Sequence, residues 1–260
     1  MVKPNDVILL EISETQIKNI IKKVLVQCFN KIDNLRSRHP NIQFDCLLRG
    51  YIGEEALVNW FSSYEIYFQN INKKVNEDYE IDIDLVYINS NNSRILNIEV
   101  KTSLVPDIFV ASEDDKSTII AKVLKNCDIK LIRRERHGKK EKIEDLWGDI
   151  YIQIYFTIFR KKRDNFLKDL KINLNIENKT IEDAFNSLID EIYYKTQAYL
   201  YKDNTFLVGW IDRETLIQLI NTKYSNDPTW SYGKREFWRC NIEQDAKRPL
   251  ELIDYLKNLK

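Results

Sequence analysis

The chain has 260 residues, long enough to bury one sizeable core without dividing into two. Its 40 Lys and Arg balance 40 Asp and Glu, with 43% of residues hydrophobic and 31% charged; this excludes a disordered chain and offers no bulk charge to a polyanion. No apolar run approaches the ~18 residues that span a bilayer, and the N-terminal MVKPNDVILLEISETQ lacks a signal-peptide pattern, so a cytoplasmic location with no membrane partner is expected.

Ser13 and Gln16 form a capping-box pattern ahead of Ile17, Ile20, Ile21, Val24, Leu25, Cys28 and Phe29 at helical spacing, predicting a first helix that runs to about Asn34. A second helix is predicted from Gly53 to about Phe61, with Ala56, Leu57, Trp60 and Phe61 inward and Glu54 at the border of that face. A strand over Tyr64–Gln69 precedes two more in IDIDLVYINSNNSRILNIEVKTS, residues 81–103. Ser112–Asp115 starts a helix carrying Ile119, Ile120, Val123, Leu124 and Cys127. Asp149–Phe159 is apolar at nearly every position and rich in β-branched and aromatic types, which predicts a strand buried on both faces. A helix over Thr180–Tyr194, a strand over Phe206–Ile211 and a helix capped by Asp212 complete one mixed α/β domain, with no repeat or linker.

Cys28, Cys46, Cys127 and Cys240 make no CxxC pair and His39 and His137 no metal motif, so buried free thiols are expected in place of disulfides or zinc. The six glycines include no GxGxxG or GxxxxGK[ST] loop, which removes most NTPase and dinucleotide readings, and no nucleotide cofactor is expected. Charge is nevertheless segregated. Glu77, Asp78, Glu80, Asp82 and Asp84 crowd one stretch, while KLIRRERHGKKEK, residues 130–142, holds seven bases against two acids.

The central hairpin poses the chemical question. With the turn at Asn89–Arg94, Ile88 faces Ile95, Asp84 faces Glu99 and Asp82 faces Lys101. Glu80, Asp82, Asp84, Glu99 and Lys101 then share one face, opposite Ile81, Ile83, Leu85, Leu96, Ile98 and Val100; a one-residue slip would undo the arrangement. Two carboxylates ~4 Å apart repel by on the order of 4 kcal/mol at an effective dielectric of ~20, so a cation between them is called for. Mg²⁺ or Mn²⁺ with oxygen ligands is the economical answer, and a lysine beside such an ion suits a phosphate. The plainer alternative is a solvent-facing strand pair in which Asp82 and Lys101 are an ordinary ion pair.

GEEA at Gly53–Ala56 in a helix, DIDL at Asp82–Leu85 ending one strand and EVK at Glu99–Lys101 in the next resemble the PD-(D/E)xK nuclease superfamily over about residues 50–160. Ile83 stands where the family name has its Pro. The resemblance implies a restriction-endonuclease-like α/β fold, with a central mixed β-sheet flanked by helices. It also implies a single nuclease domain over residues 1–260, with a catalytic core at about 50–160 and a C-terminal α/β extension at about 161–260. In that scheme Asp84 and Glu99 bind Mg²⁺, helped by the carbonyl of Val100, and Lys101 orients or activates the attacking water. Glu54 holds a second ion or its water. Asp82 replaces Asp84 if the hairpin register differs.

A chain of this size with no NTPase motif and long insertions after EVK is expected to be a type II restriction enzyme. Such an enzyme is a Mg²⁺-dependent endonuclease of double-stranded DNA, and acts as a homodimer so that protein symmetry matches a palindromic site. Repair or junction-resolving nucleases, transposon-end nucleases and a non-catalytic DNA-binding module are the alternatives. The helical QxxxY of recombination-type exonucleases is not met, since Gln153 is followed by Tyr155 in a strand. DNA contacts are expected from Arg133, Arg134, Arg136, Lys139 and Lys140, though any one of them can equally be a solvated charge. PTWSYGKREFWRC, Pro228–Cys240, reads first as an aromatic core lid and second as a surface that stacks bases.

Overall fold

Ser13 Oγ accepts the Gln16 N–H at 3.2 Å and Gln16 Oε1 accepts the Ser13 N–H at 3.0 Å, so the capping box opens helix α1, Glu14–Asn30. The structure is a computed structural model that describes residues 1–30, 40–69, 85–88, 95–106, 108, 111, 114–136, 138–158 and 181–258. Helix α2 runs from Pro40 to Ser62 and not, as the sequence predicts, from Gly53. Gly50 and Gly53 lower local helix propensity, but Phe44, Leu48, Ile52, Ala56 and Leu57 extend one fully buried stripe across them, and tertiary burial wins. Gly53 has a packing reason. A Cβ there would lie 2.4 Å from Thr102 Cγ2 and 3.4 Å from Ile154 Cδ1, so only glycine lets α2 approach the sheet this closely.

The sheet that α2 covers is built from β1 (Ile8–Leu9), β2 (Phe68–Gln69), β3 (Leu85–Ile88), β4 (Ile95–Leu104), β8 (Ile150–Phe156) and β9 (Thr205–Asp212). Their order is β1-β9-β8-β4-β3-β2, with β4 and β8 parallel and every other neighbour antiparallel. The predicted strand over Tyr64–Gln69 shrinks to its last two residues, because Glu65 takes a left-handed turn with φ of 61°. Between β4 and β8 the chain crosses over through α3, Lys116–Asn126, whose N-cap Asp115 accepts the Thr118 N–H at 2.7 Å.

The parallel pair lies at the centre and separates two cores. On one face Ile98, Val100, Ile150, Ile152, Ile154, Phe156, Leu207 and Trp210 pack with α1 and α2. Two later helices complete that layer: α4, Ile181–Lys195, through Ile192 and Tyr193, and α6, Pro249–Lys257, through Leu252, Ile253 and Leu256. On the other face Tyr151, Tyr155, Phe206, Val208 and Ile211 meet Ile119, Val123 and Leu124 of α3 and Leu216 and Ile220 of α5, Arg213–Asn221. Helix α5 is capped as expected, Asp212 Oδ1 accepting the Thr215 N–H at 2.9 Å.

That second core also receives Leu131 and Trp238 from a small antiparallel sheet, β10-β11-β5, made of β5 (Leu131–Arg133), β10 (Thr229–Tyr232) and β11 (Arg235–Trp238). A two-stranded ribbon of β6 (Glu135–Arg136) and β7 (Lys139–Lys140) follows β5. Among the described residues no helix is long and apolar enough to cross a membrane.

Candidate active site

The β3–β4 register is the one expected: Ile88 pairs with Ile95, Tyr87 with Leu96, Val86 with Asn97 and Leu85 with Ile98. Asp84 and Asp82 lie outside the described residues. Because Leu96, Ile98 and Val100 are buried on the α1/α2 face, alternation turns Glu99 and Lys101 to the opposite one. There they form a direct ion pair, with 13% of the Glu99 side chain and 14% of the Lys101 side chain exposed. Glu54 is half-buried on α2, on the far side of the sheet from this pair.

Strand β8 supplies the neighbours. Glu99 stands beside Tyr151 and Lys101 beside Gln153. The Tyr151 hydroxyl accepts the Gly148 N–H at 3.0 Å, and burial followed by the charge of Glu99 pushes its phenol far above the ordinary range. Tyr151 is therefore a neutral wall to the site at any physiological pH. Gln153 has 0% exposure. Its Oε1 accepts the Lys130 N–H at 2.9 Å, and its Nε2 donates to the Lys101 carbonyl at 3.1 Å, the Ile154 carbonyl at 3.0 Å and Ser103 Oγ at 3.3 Å. One side chain thus ties the strand carrying Glu99 and Lys101 to the segment that opens the small sheet.

Tyr151 and Gln153 escape notice when β8 is read as uniformly apolar. The signal was present: Tyr151, Gln153 and Tyr155 alternate with Ile150, Ile152 and Ile154, so the groups with polar atoms all fall on one face.

The basic segment is partly consumed by the fold. Arg133 donates to the Glu141 carbonyl at 2.9 Å, pairs with Glu236 at 3.3 Å and lies 4.7 Å from the Trp238 ring. Lys140 pairs with Glu236 at 2.8 Å. The Arg134 N–H donates to buried Glu141 at 3.2 Å. Lys139 is exposed on β7, and Arg136 belongs to β6. Bonds from Lys140 and Thr229, then the charge of Arg133, outweigh burial and hold the Glu236 carboxyl down to about 2. A depressed carboxyl stabilises the fold above its unfolded value and loses that contribution as pH falls through the folded one. Between pH 4.5 and about 2, the native chain is therefore expected to lose urea resistance faster than Glu236→Gln; parallel curves would show that Glu236 does not hold the small sheet.

Among the described residues no three His, Cys, Asp or Glu side chains gather at a metal-sized site. Glu99 is the one carboxylate that β4 itself carries. Mg²⁺ takes one or two carboxylates and keeps several waters, so this donor chemistry fits it once a second carboxylate joins. Comparison with protein-family models, with curated proteins and with solved structures returns no match.

Proposed function

We propose that the chain is a Mg²⁺-dependent endodeoxyribonuclease of the PD-(D/E)xK type with a restriction-endonuclease-like core, most simply a site-specific enzyme acting on double-stranded DNA as a homodimer. The observation that carries this reading is the Glu99–Lys101 pair, nearly buried on β4 and on the sheet face opposite the α1/α2 core. Burying such a pair costs several kcal/mol per ion and an apolar pair would serve stability as well, so its retention points to chemistry. The central mixed sheet between helices and the succession of the GEEA helix, β3 and the EVK strand support the same reading. Asp84 directly precedes Leu85, whose partner Ile98 directly precedes Glu99, which makes Asp84 the proposed second carboxylate and leaves Asp82 as its substitute.

In this proposal Glu99, Asp84 and the Val100 carbonyl hold Mg²⁺; Glu54, across the sheet on α2, is dropped from the set that the resemblance implied. The metal supplies Lewis-acid polarisation of the phosphate and a more acidic water. Once Glu99 is engaged, Lys101 is released to the phosphodiester, where its ammonium orients the water and offsets developing negative charge. Arg134, Arg136, Lys139 and Lys140 are the proposed backbone contacts, with Arg133 bracing them through Glu236.

The deciding experiment is cleavage of plasmid and phage DNA in Mg²⁺ against EDTA. Discrete, Mg²⁺-dependent bands are expected. A preference for branched substrates would move the protein to the repair and resolving nucleases, and DNA binding without any cleavage would make it a binding module.

A further inference from the structure

The small sheet divides the aromatic segment between its two faces. Trp238, 3% exposed, and Leu131 turn into the core, and on the same face Glu236 is tied to Arg133, Thr229 and Lys140. Directly paired residues share a face. Trp230 with Phe237, Tyr232 with Arg235, and Ile132 beside Phe237 therefore occupy the outer one.

The Trp230 and Phe237 rings stack with centroids 4.7 Å apart and planes 19° from parallel. The Lys130 ammonium lies 4.3 Å from the Trp230 ring centre, and Tyr232 is 77% exposed at the open end. Gly233, with φ of 60°, turns the chain tightly enough to set exposed Lys234 and Arg235 beside Tyr232. Among the described residues Lys130, Lys234 and Arg235 have no ion-pair partner. The one carboxylate in the three strands, Glu236, is on the inner face.

We propose that this outer face is a docking platform for a single-stranded stretch of DNA, with an unpaired base stacking on exposed Tyr232 and phosphates meeting Lys234 and Arg235, while the Lys130–Trp230–Phe237 stack braces the platform beneath them. Aromatic rings interleaved with unpaired cations suit a flexible strand, whose base faces are free to stack and whose backbone is a line of anions. A duplex keeps its base faces covered and gains nothing from Tyr232. The platform also lies close to the proposed chemistry: Lys130, which opens it, is held through Gln153 to the backbone of Lys101. The proposal rests on the nuclease reading for its choice of DNA and goes beyond it, adding a single-stranded stretch next to the duplex that the nuclease reading has cut. Its test needs no cleavage.

The full chain is titrated in EDTA with fluorescein-labelled oligo-dT and with a blunt duplex, reading anisotropy. Tyr232→Ala is expected to weaken oligo-dT binding on the order of tenfold and duplex binding less than about twofold. Tyr232 is so exposed that the fold should be indifferent to its loss. Lys234→Ala/Arg235→Ala should lower the log–log salt slope for oligo-dT by about 1.4, two phosphates at about 0.7 each. Tyr199→Ala, at another exposed tyrosine, serves as the control and should change nothing. Native-like oligo-dT binding by Tyr232→Ala, equal losses for strand and duplex, or no oligo-dT binding by the native chain would each overturn the platform. Binding through Tyr232 in a protein that cuts nothing in Mg²⁺ would leave the platform standing and remove the nuclease; cleavage untouched by Tyr232→Ala, with oligo-dT binding also unchanged, would do the reverse.

Discussion

Lys101→Ala is expected to lose DNA cleavage by on the order of 10³ and, in EDTA, about 3 kcal/mol of stability. The first effect follows from removing the cation proposed to meet the phosphodiester. The second is independent of catalysis. Glu99 and Lys101 pair with 13% and 14% of their side chains exposed, so truncating the lysine strands a nearly buried carboxylate. Excess Mg²⁺ should then restore part of the loss, because a cation that binds Glu99 in the folded state alone shifts the unfolding equilibrium by mass action. Glu99→Leu/Lys101→Met removes both charges, and is expected to unfold within about 1 kcal/mol of the native chain while being equally inactive. Urea unfolding of the three proteins, each with EDTA and with Mg²⁺, separates the roles. A Lys101→Ala variant as stable as the native chain, or one indifferent to Mg²⁺, would remove the physical basis for placing a metal at Glu99.

Local signals carried the sequence analysis where one segment could declare its own partners. The Ser13–Gln16 box, the helix start ending at Asp115, the Asp212 cap and the β3–β4 register all rest on residues a few positions apart or on one turn, and the structure forms each of them. What failed depends on distant chain. The N-terminal half of α2 is helical because Phe44, Leu48 and Ile52 meet the sheet, not because the glycine-containing segment prefers a helix. The small sheet is assembled from residues a hundred positions apart, with Ile132 facing Phe237, and no periodicity within either strand announces that pairing. The same holds at the candidate site. EVK could be read as a motif and alternation puts Tyr151 and Gln153 on one face of β8, but only the parallel β4–β8 register sets them beside Glu99 and Lys101.

Gln153 is where the second large effect is expected. The fold buries an amide completely at the centre of a sheet and gives it four partners: the Lys130 N–H, the Lys101 and Ile154 carbonyls and Ser103 Oγ. Gln153→Leu keeps the volume but leaves the Lys130 N–H and the Lys101 carbonyl without that partner. At roughly 1–3 kcal/mol for each stranded group, a loss of about 3 kcal/mol is expected. Gln153→Glu preserves the acceptor for Lys130 and replaces the amide donor with a carboxyl, which burial drives toward its neutral form. A carboxyl whose folded value is raised above its unfolded one, about 4.3, contributes most below that unfolded value and loses its contribution as pH climbs through the folded value. Gln153→Glu should therefore sit near the native chain at about pH 4 and fall progressively below it toward about pH 8, whereas the deficit of Gln153→Leu should stay constant with pH. Urea unfolding free energies of the three proteins across that range provide the measurement. A constant offset for Gln153→Glu would mean that its carboxyl reaches water, and that the link between Lys130 and Lys101 is not sealed inside the sheet. A rising deficit would instead mark Gln153 as the joint that holds the aromatic platform against the strand of Glu99 and Lys101.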